Sequence, residues 1–172
     1  LRVLGGESNL EYHARDLLEN ATPTAATYCK TGECEIRITA RAASDAEGEK
    51  CAEYAKKFYD LLGDAVYDED VAGLEETLVR TLKEKGLTLS TAESCTGGLI
   101  AQRITSVPGS SEVFGYGFVT YWEAAKARLV GVEPDVIAKY NVVSAPVAAQ
   151  MALGAAQAAG AETVSYTLLR AH

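Results

Sequence analysis

Thr91-Ala92-Glu93-Ser94-Cys95-Thr96-Gly97-Gly98 is the stretch on which the reading of this chain turns. It follows a strand-like run, Leu87-Thr88-Leu89, and precedes a helical run that starts near Leu99. A Ser-Cys pair at a strand-to-helix turn, followed by two glycines, suits nucleophilic chemistry. Such a turn exposes the Ser94 hydroxyl, glycine lets backbone approach a substrate, and a helix start offers unpaired N–H groups to an anion. The same pattern suits a tight turn with a Ser or Thr helix cap, and the local residues do not separate the two readings.

Working outward, Leu74, Leu78 and Leu82 recur at helical spacing and Gly86 ends that helix. Helix, strand, turn and a second helix over Leu99 to Thr105 form the kind of unit found in α/β domains. Val107 to Ser111 reads as a loop, Phe114 to Tyr121 as a strand and Ala124 to Leu129 as a helix. Ser144 opens a long helix with Pro146 in its first turn. Ala148, Ala149, Ala152, Ala155, Ala156 and Ala159 let it pack close to a sheet, and Gly160 ends it. Thr163 to Thr167 is a further strand.

Upstream, Asn9 caps a helix through Leu10, Leu17 and Leu18, and Ala21 to Thr27 reads as a loop. Lys30-Thr31-Gly32-Glu33 is a hairpin tip before the alternating strand Glu33 to Ala40. Ser44-Asp45-Ala46-Glu47 starts a helix whose stripe of Ala52, Ala55, Phe58, Tyr59 and Leu62 ends near Gly63. Ala65-Val66-Tyr67 is a short strand, and Asp68-Glu69-Asp70 is a solvated linker. These readings divide the chain into a domain over residues 1–70 and another over 71–172.

The chain has 172 residues and a net charge of −8, from 24 acids against 16 bases. That balance disfavours a broad nucleic-acid or anionic-membrane surface. No apolar run reaches membrane-spanning length and no signal segment opens the chain, so a cytoplasmic location is expected. The first residue is Leu1 rather than Met, which reads as a fragment or a processed product. Cys29, Cys34, Cys51 and Cys95 match no zinc template, and the two histidines are His13 and His172. No metal site is expected, and the thiols are expected to be reduced. Cys95 reads as a nucleophile in its own right or as a small apolar residue; the other three read as small buried apolar groups.

Ser94 needs a base, and both histidines sit at the chain extremes. A lysine serves when burial keeps it neutral. Tyr121 and Lys126 flank the end of the Phe114 strand, and strand ends on one edge of an α/β sheet converge. Both therefore can reach the Ser94 turn, although a lysine and a tyrosine at a helix start are more commonly surface groups.

Thr91 to Gly98, Val107 to Ser111, Gly117 to Tyr121, Ala125-Lys126 and Val142-Val143-Ser144 together resemble the C-terminal domain of CinA proteins, the competence/damage-inducible or PncC-type amidohydrolase family. The resemblance runs from about Leu74 to Thr167. The K-T-G-E turn and its strand resemble the KH-like middle domain of full-length CinA. The implied fold class is α/β: a small α+β KH-like N-terminal domain, then a layered α/β amidase-type domain that is incomplete at its C-terminus. The implied activity is deamidation of nicotinamide mononucleotide to nicotinic acid mononucleotide and ammonia, in pyridine nucleotide salvage. The resemblance implies no cofactor and no metal, a small-molecule pyridine nucleotide as partner, and a homo-oligomer, a dimer. Carried over by position, Ser94 is the nucleophile, Lys126 its base, and Tyr121 assists proton transfer or orients the base. Cys95, Thr96, Gly97 and Gly98 supply backbone donors, and Ser110 and Ser111 line the site.

Two departures from the family pattern carry consequences. Glu123 stands where the family usually has Asn, on the helical face of Lys126, and would favour the charged ammonium. After the Thr163 strand, Leu168 to His172 replaces the family's glycine-rich T-G-x-A-G-P loop. The alternative reading is therefore a non-catalytic nucleotide-binding or scaffold fragment of a larger CinA protein. RNA binding by the N-terminal part is disfavoured by the acidic charge and by the lack of a G-x-x-G loop between helical runs in residues 1–70.

Overall fold

The computed structural model describes residues 1–30, 32–41 and 45–167. Its contacts cluster into two units, Leu1–Leu74 and the chain from Glu75 onward. Thr31 of the expected hairpin tip, Ser44 of the expected helix start, and Leu168 to His172 lie outside the described residues.

The first unit runs β1 (Arg2–Leu4), α1 (Glu7–Leu18), β2 (Thr24–Lys30), β3 (Glu33–Thr39), α2 (Asp45–Leu62), a 3-10 turn (Gly63–Ala65) and β4 (Val66–Asp68). The sheet order is β2-β3-β1-β4, with every neighbouring pair antiparallel. This is a β-α-β-β-α-β arrangement. In β3, alternation turns Cys34 and Ile36 inward, where they meet Val3, Leu10, Ala14, Tyr54, Phe58 and Val66. The Tyr54 and Phe58 rings meet edge to face at 5.7 Å, and the Tyr54 hydroxyl donates to the Leu17 carbonyl at the end of α1.

Three local expectations change. The loop expected over Ala21 to Thr27 becomes strand from Thr24, because every residue of β2 pairs with one of β3, from Thr24↔Thr39 to Lys30↔Glu33. Cross-strand pairing outweighs the weak strand signal of its small residues. The helix expected from Asn9 begins at Glu7, capped by Gly6. Strand β1, three residues long and not foreseen, is held from both sides, by β3 and β4.

The second unit runs α3 (Leu74–Lys85), β5 (Leu89–Glu93), α4 (Leu99–Thr105), a 3-10 turn (Ser110–Glu112), β6 (Phe114–Val119), α5 (Glu123–Val130), α6 (Pro134–Tyr140), α7 (Ala145–Ala159) and β7 (Thr163–Tyr166). The strands form a parallel sheet in the order β6-β5-β7. One cluster joins Ala92 of the central strand to Val130, Ile137, Val147, Met151 and Ala155 of α5, α6 and α7. Another joins Leu89 to Val79, Leu82 and Ile104 of α3 and α4. The central strand lies later than the expected Leu87–Leu89. Leu87 closes the turn after α3 by donating its N–H to the Leu82 carbonyl at 2.9 Å. All five residues of β5 are buried, so the strand shows no alternation to read. Helix α6, also unforeseen, starts with Pro134 at its first position. No helix among the described residues is long and apolar enough to cross a membrane.

Gly154 fixes how closely α7 approaches the end of α5. A Cβ built there would stand 1.8 Å from the Val130 carbonyl oxygen. Gly154→Ala should therefore destabilise the unit by about 1–3 kcal/mol through overpacking, although Ala is the better helix former. Urea denaturation measures this; an unchanged or raised midpoint would contradict the close approach.

Candidate active site

Strand β5 ends in Glu93, and the chain turns there to place Ser94 at the carboxyl edge of the parallel sheet, where α/β folds build their sites. Strand β6 ends beside it. The Thr120 N–H donates to the Glu93 carbonyl at 2.8 Å, extending the pairing one residue past the strand. The chain then enters α5 with Trp122 at the cap position, and Lys126 follows one turn later.

The Lys126 side chain folds back under its own helix start. Its Nζ lies 3.1 Å from Ser94 Oγ, 2.6 Å from the Thr120 carbonyl and 3.3 Å from the Tyr121 carbonyl. Lys126 is only 2% exposed, against the usual surface habit of lysine. Burial pushes its pKa below the ordinary value of 10.5; the carboxylate of Glu123 and Cys95 push the other way and do not cancel it. The opposition expected from Glu123 is thus present but outweighed. Two carbonyls and one hydroxyl suit either a three-donor ammonium or a neutral amine that accepts from the Ser94 hydroxyl.

Glu93 is the residue that the sequence reading passed over. It is 0% exposed, directly before Ser94. One carboxylate oxygen accepts from Thr96 Oγ1 at 2.8 Å and from the Ile100 N–H at 2.9 Å; the other accepts from the Ala101 N–H at 2.9 Å. Burial alone would raise its pKa. Hydrogen bonds from Ala101, Ile100, Thr96 and the Gly98 backbone prevail and hold it below 4.5. The open N–H groups of α4, read from sequence as available to a ligand anion, are filled by this internal carboxylate. A signal for it was present: an acid three residues before a threonine and seven before a helical N–H can cap a turn from the inside.

The turn itself is pinned from several sides. The Gly97 N–H donates to the Ser94 carbonyl at 3.1 Å, and the Ser94 N–H donates to Thr167 Oγ1 at 3.1 Å. Gly97 (φ 62°) and Gly98 (φ 101°) occupy left-handed backbone that glycine tolerates best. Opposite Ser94, Cys95 and Lys126 stands an apolar wall of Val142, Val143, Val147, Ala148 and Met151. The space between them is about 20 Å³, room for one water-sized group.

Of the residues expected at the site, Ser94, Cys95 and Lys126 come together here. Thr96 and Gly98 act inward, on Glu93. Tyr121 reaches Lys126 through its backbone carbonyl, while its side chain is 70% exposed. Ser110 and Ser111 are elsewhere. They precede β6, and Ser111 lines a recess with Thr88, Phe114 and Gly160 at the opposite end of the strands. The reason is directional: a loop entering a parallel strand lies at its amino end, whereas Ser94 leaves one. Thr167 and Met151 join the site without having been anticipated. No cluster of three or more His, Cys, Asp or Glu that could hold a metal occurs among the described residues.

Comparison with known proteins places both units. The CinA C-terminal domain profile matches residues 71–167, and the profile of the damage-inducible protein CinA KH domain matches residues 1–67. A protein of Symbiobacterium thermophilum named for competence-damage induction is 47% identical over 165 residues, 94% of this chain and 39% of its own length. A CinA-like protein of Desulfovibrio desulfuricans is 45% identical over 168 residues, again 94% of this chain and 39% of its own. The chain thus spans about two fifths of these relatives, 39% of each. Among solved structures, a CinA superfamily protein from Escherichia coli is 36% identical with a TM-score of 0.53, covering 54% of each chain. One from Enterobacter cloacae is 28% identical with a TM-score of 0.51, covering 58% of this chain and 61% of its own. With a KH-type unit followed by a CinA C-terminal unit, and with the closest part of its site built from that unit's Ser-Cys-Thr-Gly-Gly turn, the chain belongs to the CinA family.

Proposed function

We propose that the C-terminal domain, residues 71–172, hydrolyses the carboxamide of nicotinamide mononucleotide, releasing ammonia and nicotinic acid mononucleotide. The observation that carries this reading is a buried lysine, of lowered pKa, 3.1 Å from a serine hydroxyl at the carboxyl edge of a parallel sheet. Neutral Lys126 takes the Ser94 proton as Oγ attacks the amide carbon. The resulting ammonium then protonates the departing nitrogen, so ammonia leaves and an ester to Ser94 remains. Water, deprotonated by the same amine, cleaves that ester to the carboxylic acid.

Donors for the tetrahedral oxyanion narrow by elimination. The Ser94 N–H is engaged by Thr167, the Gly97 N–H by the Ser94 carbonyl, and Gly98 by Glu93. Cys95 and Thr96 supply the remaining N–H groups of the turn. Tyr121 contributes its carbonyl, which with that of Thr120 fixes the amine. The space, about 20 Å³, is smaller than a carboxamide, so the apolar wall must yield for the substrate amide to reach Ser94. That same limit also favours the alternative, a fragment that does not turn over substrate.

Ammonia release from nicotinamide mononucleotide separates the two. Under the amidase reading Ser94→Ala abolishes release and Lys126→Ala lowers kcat/KM by about 10²–10⁴. Equal rates for wild type and Ser94→Ala would remove Ser94 from the mechanism, and no release from any of them would favour the fragment reading.

The base must be neutral to act, so kcat/KM should rise with pH to a midpoint below 10.5. Glu123→Gln removes a charge that raises the Lys126 pKa and should move that midpoint lower. A midpoint that moves up would contradict the assignment of Lys126 as the base.

Glu93 makes a separate prediction about stability. Its folded pKa lies below 4.5, so its stabilisation is present above 4.5 and is lost as pH falls through the lower folded value. Glu93→Gln keeps one acceptor and sets an amide N–H₂ against backbone donors. It should cost about 1–3 kcal/mol at neutral pH and flatten the acid limb, as read by urea unfolding across a pH series. An acid limb as steep as in wild type would assign that limb to other carboxylates.

A further inference from the structure

The N-terminal unit holds a pair of cysteines that the catalytic reading does not use. Cys29 of β2 and Cys34 of β3 are direct cross-strand partners, next to the hairpin end at Lys30↔Glu33. Two residues, Thr31 and Gly32, connect the strands. With a two-residue connection, the closing pair exchanges hydrogen bonds and the next pair inward does not. Cys29 and Cys34 occupy that second kind of position, where opposed Cα atoms stand about 4.5 Å apart. A disulfide accepts Cα separations of roughly 4.4–6.8 Å. Directly opposed residues project on one face of the sheet, and the Cys34 thiol is close enough to bear on the titration of Cys29. Cys29 is exposed, whereas Cys34 is buried with its Sγ 3.6 Å from the Gly5 carbonyl. The exposed Cys29 is the sulfur that a dissolved oxidant reaches first, and Cys34 lies directly behind it.

We propose that Cys29 and Cys34 form a reversible cross-strand disulfide when the protein meets a peroxide, making the β2–β3 hairpin a redox-modification site. The Cys29 thiolate attacks one peroxide oxygen; an S–O bond forms, the O–O bond breaks, and the released hydroxide becomes water on taking a proton. Cys34 then attacks the Cys29 sulfur. The S–S bond forms, the S–O bond breaks, and the hydroxide leaves as a second water with the Cys34 proton. Two thiols lose two electrons together and the peroxide gains them. The bond ties the edge strand β2 to β3, which also pairs with β1 through Val3↔Cys34. A dithiol reductant reverses it.

The thiolate is scarce at neutral pH. Desolvation, the Cys34 thiol on β3, and Glu7 and Glu11 on α1 push the Cys29 thiol up to about 12. Disulfide formation therefore accelerates with pH, by about tenfold per unit below that value.

The test treats the full chain with hydrogen peroxide and counts free thiols after denaturation. The count should fall from the four free cysteines to two. Trypsin cuts after Lys30, so the bond appears as two joined peptides, one ending at Lys30 and one starting at Thr31, which dithiothreitol separates. Cys29→Ser, an exposed substitution, should lose the joined pair, and Cys34→Ser should stop at a Cys29 sulfenic acid that dimedone traps. Four thiols remaining in wild type would overturn the proposal. So would bonds only to Cys51 or Cys95, or sulfinic acid at Cys29 with Cys34 still free.

Discussion

A carboxylate with no access to water organises the second unit. Glu93 carries its charge inside the protein because the first turn of α4 supplies N–H groups that would otherwise be orphaned. Each side satisfies a cost of the other: the helix end gains acceptors, and the acid gains donors that keep it ionised. The residues between them, Ser94 to Leu99, have little freedom left, and glycine at 97 and 98 absorbs the backbone angles that the closure demands. Ser94 is therefore held in place by an acid whose hydrogen bonds all turn inward.

Two buried ionisable groups thus flank Ser94, one beside it in the chain and one across the sheet edge, yet are satisfied separately. Lys126 takes its partners from the carbonyls that end β6, Glu93 from the amides that begin α4. Burial lowers the Lys126 pKa against the opposing pull of Glu123 and Cys95. Had Lys126 and Glu93 formed an ion pair, the lysine would be held as ammonium and could not accept a proton.

Much of this was legible in the residues. The spacing of Leu74, Leu78 and Leu82, the glycine stops at 86 and 160, and Pro146 after Ser144 fix helices that the structure reproduces. The Ser94 turn and Lys126 were also readable, because strand ends on one edge of a parallel sheet converge. Central strand β5 lies later than the sequence indicates because a strand buried on both faces has no alternation to read. Ser110 and Ser111 were assigned to the site because proximity in a motif string says nothing about which end of a strand a loop occupies. The first part of β2, from Thr24, reads as loop because its small residues gain their strand preference only from β3. Glu93 was visible as a letter in the motif but not as a cap, since its partners lie seven and eight positions away across a turn.

The parallel sheet also joins residues far apart in the chain. Ser94 and Lys126 are 32 positions apart, whereas Thr167 reaches the Ser94 N–H across 73. Strand β7 pairs with β5 only after the whole α5–α7 segment has been made. Closing the longer loop costs more chain entropy and comes with slower, non-local pairing. Ser94 and Lys126 therefore both precede β7 in the chain. Until that strand docks, one edge of β5 is open and Ser94 lacks its Thr167 contact.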